Sequence, residues 1–168
     1  DGTLWYPKKT KRTEKPHWVY HDPLTKDNYL EHLTLAPKVR RTLKALKDRG
    51  IYLVIVSAHP HTQEIARAEM KEKLDYFRLT ELFYSYQISI SSDPADKAII
   101  IMNMLEALDL KKDDALMVGD SYLYDYKAAK DAGVDALFIE NPVSEISEPR
   151  PNDLKSIKEI SDLLDILE

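Results

Sequence analysis

Along the chain, apolar positions fall into short blocks, and the spacing inside each block predicts an element. Val39, Leu43 and Leu46 recur at helical spacing between Pro37, which suits a first helical position, and Gly50, which stops the helix. The run Ile51-Tyr52-Leu53-Val54-Ile55-Val56 follows at once. A continuous β-branched apolar run predicts a strand buried on both faces, with Ser57 at its C-terminal end. A helix over about 60–74 comes next, with Ile65, Ala68 and Leu74 as its apolar face. Leu82 and Phe83 predict a short turn, Tyr84 to Ile90 alternates as a strand, and Ser91-Ser92-Asp93-Pro94 breaks it. Asp96 opens a helix through Leu108 with Ile100, Ile101, Met104 and Leu105 inward. Ala115 to Val118 predicts a short buried strand ending in Gly119-Asp120. The pattern then gives a helix over 123–132 closed by Gly133, and a strand from Ala136 to Ile139. Pro142, Pro149 and Pro151 punctuate a link to a last helix whose core face is Leu154, Ile157, Ile160, Leu164 and Leu167.

Strands alternating with helices at these intervals predict an α/β domain with a doubly wound parallel sheet. The links are too short for a second domain, so residues 1–168 are expected to form one unit without internal repeats. One stretch departs from the pattern. Residues 6–33 are polar and irregular, with Pro7, Pro16 and Pro23, the basic run Lys8 to Lys15, and the rings of His17, Trp18, Tyr20 and His21. A loop of that length in a compact domain is uncommon unless it is functional or disordered. It is expected to be a flap near Asp1, with a small hairpin around His17 to Tyr20 and no large cap.

Composition narrows the functional classes. Hydrophobic residues make up 43% and charged residues 32%, which suits a folded globular domain. The net charge of -5 gives no sign of a general nucleic-acid binder. The absence of cysteine excludes disulfides, thiolate metal sites and cysteine nucleophiles. No apolar run approaches a membrane span, so the expected location is the cytoplasm, with no membrane partner.

Three strand ends collect at one edge of such a sheet: Asp1-Gly2-Thr3, Ser57 and Gly119-Asp120-Ser121, with Lys97 in the first turn of a nearby helix. Two carboxylates, a hydroxyl and an ammonium suit a phosphate held with a divalent cation, and hard oxygen ligands favour Mg2+. Each residue alone has an ordinary alternative. Asp1 suits any Asp-Gly turn. Ser57 or Asp120 suits a helix cap, Asp125 a first-turn charge, and Lys97 a solvated lysine. Lys71 and Lys73 stand too deep in their helix to compete with Lys97. Trp5, Trp18, Tyr122 and Tyr124 suit a substrate pocket or plain packing. His17 with His21, and His59 with His61, offer imidazole pairs, but without cysteines metal binding is the lesser reading. His59, two residues after Ser57, is expected near bound phosphate.

Taken together, Asp1-Gly2-Thr3-Leu4, Ser57, Lys97, and Gly119-Asp120-Ser121 with Asp125 resemble the four motifs of the haloacid dehalogenase (HAD) superfamily, in order and over essentially the whole chain. Leu4-Trp5 and the flap resemble its magnesium-dependent phosphatase group. The resemblance implies a HAD-like Rossmannoid fold and a Mg2+-dependent phosphomonoester hydrolase acting through a phospho-aspartate. Its first motif is Asp-x-Asp-Gly-Thr, and Asp1 matches the second aspartate, the general acid and base whose backbone carbonyl also ligates magnesium. Ser57 then binds phosphate, Lys97 stabilises the phospho-aspartate, Asp120 ligates the metal directly, and Asp125 supports Lys97 or a metal-bound water. Gly2, Ser57, His59 and Trp5 are the expected substrate contacts. The nucleophile is expected two residues before Asp1, at the end of an apolar strand. The expected substrate is a phosphorylated small molecule or a phosphoprotein. A phosphotransferase, a silent phosphate- or protein-binding module and a receiver-like switch are the competing readings. The position of the Asp-Gly-Thr loop speaks against the last.

Overall fold

The computed structural model describes residues 1–59, 61–146 and 149–167. In chain order its elements are β1 (Trp5–Pro7), β2 (Leu33–Leu35), α1 (Val39–Asp48), β3 (Val54–Ala58), α2 (Gln63–Tyr76), β4 (Ser85–Ser89), α3 (Pro94–Ala107), β5 (Leu116–Gly119), α4 (Ala128–Asp131), β6 (Asp135–Ile139), β7 (Ser156–Ile157) and α5 (Leu163–Ile166). A π-helical segment, Tyr122–Lys127, leads directly into α4. β3 pairs in parallel with β4, and β6 pairs in parallel with both β5 and β7.

Strand periodicity explains the layering. Successive side chains of a strand point to opposite faces. Here Ile55, Leu116, Val118, Leu137 and Ile139 join a core with α1, α2 and α5. Their neighbours Val56, Met117, Ala136 and Phe138 join a second core with α3 and the 122–134 segment. Two cores fed by alternate residues of the same strands are the mark of a doubly wound α/β domain. A cavity of about 1030 Å³ lies between β3 and β5, with Val54, Val56, Met117 and Val118 among its lining residues.

Several elements differ from expectation. The flap holds no hairpin at His17 to Tyr20; Pro16–Tyr20 is a 3-10 helix, and a second covers Lys26–His32. Its ribbon lies at its base instead, where β1 pairs antiparallel with β2. Val19 is fully buried, so the flap is packed into the first core. Arg12 is not part of a solvated basic face: it bonds the Gly2 carbonyl at 2.7 Å and pairs with Glu159 at 3.2 Å. Pro37 precedes the helix rather than opening it, because Lys38 takes a left-handed turn at φ 59° and α1 starts at Val39.

β3 begins at Val54, since Ile51 and Leu53 pack on the core as loop residues. Ser57 therefore lies within the strand, and the strand is half-buried rather than sealed on both faces. α2 starts after Thr62, whose hydroxyl caps it; the expected start at residue 60 lies outside the described residues. Its inner face is Ala66, Met70, Lys73 and Leu74, whereas Ile65 and Ala68 are exposed. The expected last helix is in part a strand: Ile157 belongs to β7, and only Leu163–Ile166 is α-helical.

Phe138 is 1% exposed in the second core. Phe138→Ala should lower the unfolding free energy by about 3–5 kcal/mol, read from denaturant midpoints. The exposed Ile99→Ala should stay within about 0.5 kcal/mol of the parent.

Candidate active site

Residues from five stretches of the chain meet where β3 and β5 end. Asp1, Ser57, Lys97, Asp120 and Asp125 all line the cavity between those strands. Asp120 follows β5 and is buried. Its Oδ1 accepts from the Thr3 hydroxyl at 2.8 Å, and its Oδ2 accepts from Asn141 Nδ2 at 3.0 Å. Gly2, at φ 79°, lets the Asp1 loop lie against this carboxylate, for a Cβ there would overlap it. The Gly2 N–H donates to the Trp5 carbonyl at 2.7 Å and its carbonyl is held by Arg12, so Gly2 shapes the site rather than binding substrate.

Asp125 is buried under Gly119, where a Cβ would again overlap the carboxylate. It forms an ion pair with Lys97 and accepts from the Ser121 N–H at 3.0 Å. Lys97 is 5% exposed, so it is no solvated surface lysine. The capping alternatives also fall away. Thr62 caps α2, Asp93 caps α3, and Ser121 caps the π-helical segment, which leaves Ser57 and Asp120 free of that duty. Among the described residues the Ser57 hydroxyl reaches only the next carbonyl, at 3.5 Å.

The Asp1 carboxylate is held from the other side. Trp5 Nε1 donates to Oδ1, the Tyr20 hydroxyl donates to Oδ2 at 2.6 Å, and Lys73 Nζ lies 3.7 Å from Oδ1. Trp5 is 1% exposed and stacked on Phe77, with ring centroids 5.7 Å apart. It is a core residue that orients Asp1, not a substrate contact. Lys73 was passed over as too deep in its helix; the buried face of α2 carries it inward, with its ammonium 4.5 Å from the centre of the Tyr20 ring. His59 also departs from expectation. Its Nε2 lies 2.8 Å from Glu69 and its Nδ1 accepts from the His61 N–H at 3.3 Å, so both ring nitrogens are engaged away from a phosphate.

Sequence reasoning missed Asn141, Tyr20 and Lys73. Asn141 had a usable signal, a polar residue two positions beyond a strand at the same sheet edge. The other two had none, because only tertiary packing brings them to Asp1.

The charges are unbalanced. Burial, and then the neighbouring Asp125 carboxylate, push the Asp120 carboxyl above its usual range. Among the described residues no lysine or arginine pairs with Asp120. A buried carboxylate without a lysine or arginine partner among the described residues, beside a second carboxylate already matched by lysine, fits a hard divalent cation such as Mg2+.

Over residues 5–139 the sequence matches the family model of a known class of proteins, the haloacid dehalogenase-like hydrolases. The chain belongs to that family. Over 112 residues it is 26% identical to a ribulose-1,5-bisphosphate 5-phosphatase of Halopiger xanaduensis, covering 67% of this chain but 45% of that protein. The chain thus spans under half the length of that curated relative. Its fold is similar to that of an uncharacterized protein from Listeria monocytogenes serotype 4b, with TM-score 0.71, 23% identity, and coverage of 99% of this chain and 92% of that one. It is also similar to a HAD-hydrolase from Bacillus subtilis bound to magnesium, with TM-score 0.66, 19% identity, and coverage of 86% and 63%.

Burial pushes the Lys73 ammonium down to about 8 from 10.5, against the opposing pull of Glu69 and Glu72. Between those values the unfolded chain binds the proton that the folded chain has shed, so stability gains with rising pH there. Below about 8 both states carry the charge and the burial cost is present in full. Relative to Lys73→Met, the parent should therefore gain unfolding free energy as pH rises from below 8 to above 10.5, measured by denaturant titration at both ends.

Proposed function

We propose that the chain is the catalytic domain of a Mg2+-dependent phosphomonoester hydrolase acting through a phospho-aspartate, at work in the cytoplasm. The observation that carries this is the charge pattern at the sheet edge: Asp125 is neutralised by Lys97, while the equally buried Asp120 has no lysine or arginine partner among the described residues. Magnesium on Asp120 and the Asp1 backbone carbonyl would supply positive charge beside the transferring phosphoryl group. Ser57 offers its free hydroxyl to one phosphoryl oxygen. Lys97, fixed by Asp125, stands ready for another.

In this reading the nucleophile is a carboxylate two positions ahead of Asp1. A strand carrying it would lie between the facing edges of β3 and β5. Its oxygen attacks phosphorus, and the departing ester oxygen takes a proton from Asp1. Water then attacks the phospho-aspartate, Asp1 accepts its proton, and the carboxylate is freed with inorganic phosphate. Trp5, Tyr20 and Lys73 keep Asp1 in place for both proton transfers.

The favoured substrates are phosphorylated small molecules. The curated relative is named for a sugar bisphosphate, and the flap residues Lys15, His17, Tyr20 and His21 line the cavity. The full chain, with the segment that carries the proposed nucleophile ahead of Asp1, should hydrolyse a generic aryl phosphate only with Mg2+ present. Asp120→Asn should weaken the half-saturating Mg2+ concentration by at least about tenfold. Lys97→Met should lower kcat by about a hundredfold or more, as loss of a transition-state charge contact does. Metal-independent turnover, or none from the full chain with Mg2+, would favour a phosphate-binding module instead.

A further inference from the structure

Outside the proposed active centre, a second group of ligating side chains converges on one point. His59 and His61 leave the end of β3, and Glu69 rises from the second turn of α2 to lie between them. His59 Nε2 is 2.8 Å from Glu69 Oε2, and His61 Nδ1 is 3.3 Å from Glu69 Oε1. The three ligand atoms all fall within 4.8 Å of one another. The imidazoles, for which the sequence favours phosphate contact at His59 over metal binding, acquire a carboxylate that the sequence does not associate with them.

One feature distinguishes this group from a simple ion pair. Among the described residues His61 Nδ1, shielded from solvent, has no hydrogen-bond partner, because its approach to Glu69 lacks the alignment of one. A buried ring nitrogen without a partner costs free energy unless something else meets it.

We propose that His59, His61 and Glu69 form a binding site for a transition-metal cation of the Zn2+ type. Imidazole nitrogen suits Zn2+ and not Mg2+, so this site and the oxygen site at Asp120 select different ions. Two histidines and one carboxylate leave at least one coordination position open, as in zinc sites that also hold water or a ligand. All three residues line the same cavity as Ser57 and Asp120, so that position is open to water or to an anionic group of a substrate. Loading moves the His59 ring proton from Nε2 to Nδ1 and gives up the 3.3 Å bond from the His61 N–H, which is the longer of the ring's two contacts. Lys73 opposes a second cation, and the Glu69 carboxylate offsets it. The bound ion would tie the segment after Ser57 to α2. The inference stands apart from the phosphatase reading, because it concerns ligand atoms that the proposed hydrolysis does not use.

Calorimetric titration of the full chain with Zn2+, in buffer holding excess Mg2+, tests it. One saturable Zn2+ site per chain is expected. His61→Ala and Glu69→Gln should each weaken it by at least about tenfold, and Asp120→Asn should leave it in place. His61 is partly exposed and Glu69→Gln conserves volume, so both variants are expected to fold, as far-UV circular dichroism would show. Absence of saturable uptake, uptake that either variant leaves unchanged, or uptake lost in Asp120→Asn would overturn the proposal.

Discussion

Lys97 and Asp125 meet inside the protein as a buried ion pair, and the arrangement of the site follows from how that pair is balanced. Removing one partner of such a pair leaves an uncompensated charge and typically costs about 3–5 kcal/mol. The pair therefore fixes the first turn of α3 against the segment after β5. It also matches the charge of that lysine to Asp125 rather than to Asp120. Asp120, beside Asp125 and almost as deeply buried, keeps a carboxyl whose proton affinity is raised by burial and by that neighbour. In the proposed function a bound cation balances the buried negative charge that the site's own side chains leave unmatched.

The sheet makes that imbalance possible. Alternate residues of β5 and β6 are committed to two separate cores, so the strand ends are held rigidly and their polar residues have no apolar role to play. Gly2 and Gly119 sit where a side chain would collide with Asp120 or Asp125, and this close approach of backbone buries the carboxylates. The flap works from the opposite side. Val19 anchors it in the core, and Tyr20 delivers a hydroxyl to Asp1, so a segment that reads as a loose insertion contributes to the placement of a proposed catalytic group.

How much of this was legible in the sequence depends on whether the signal was local. The breaks at Gly119-Asp120 and after the 51–56 run announce strand ends through composition alone, and the residues there line one cavity. Boundaries were less legible. Ile51 and Leu53 are apolar because they pack on the core, not because they belong to a strand. Likewise, Ser156–Ile157 is too short for period 2 to be told from a helical face. Tyr20, Lys73 and Glu69 were illegible as site residues for a different reason. Their partners are Asp1, 19 and 72 positions away, and the histidine pair after β3, and nothing in a single chain records contacts made only by folding.

The most direct test of the account is a crystal structure of the full chain grown with Mg2+ and orthovanadate, a mimic of the phosphoryl group in transfer. The account expects a cation on the Asp120 carboxylate, and vanadate within hydrogen-bond reach of the Ser57 hydroxyl and the Lys97 ammonium. Vanadate bound elsewhere, or an Asp120 carboxylate that ligates no cation while the Lys97–Asp125 pair stays intact, would contradict it.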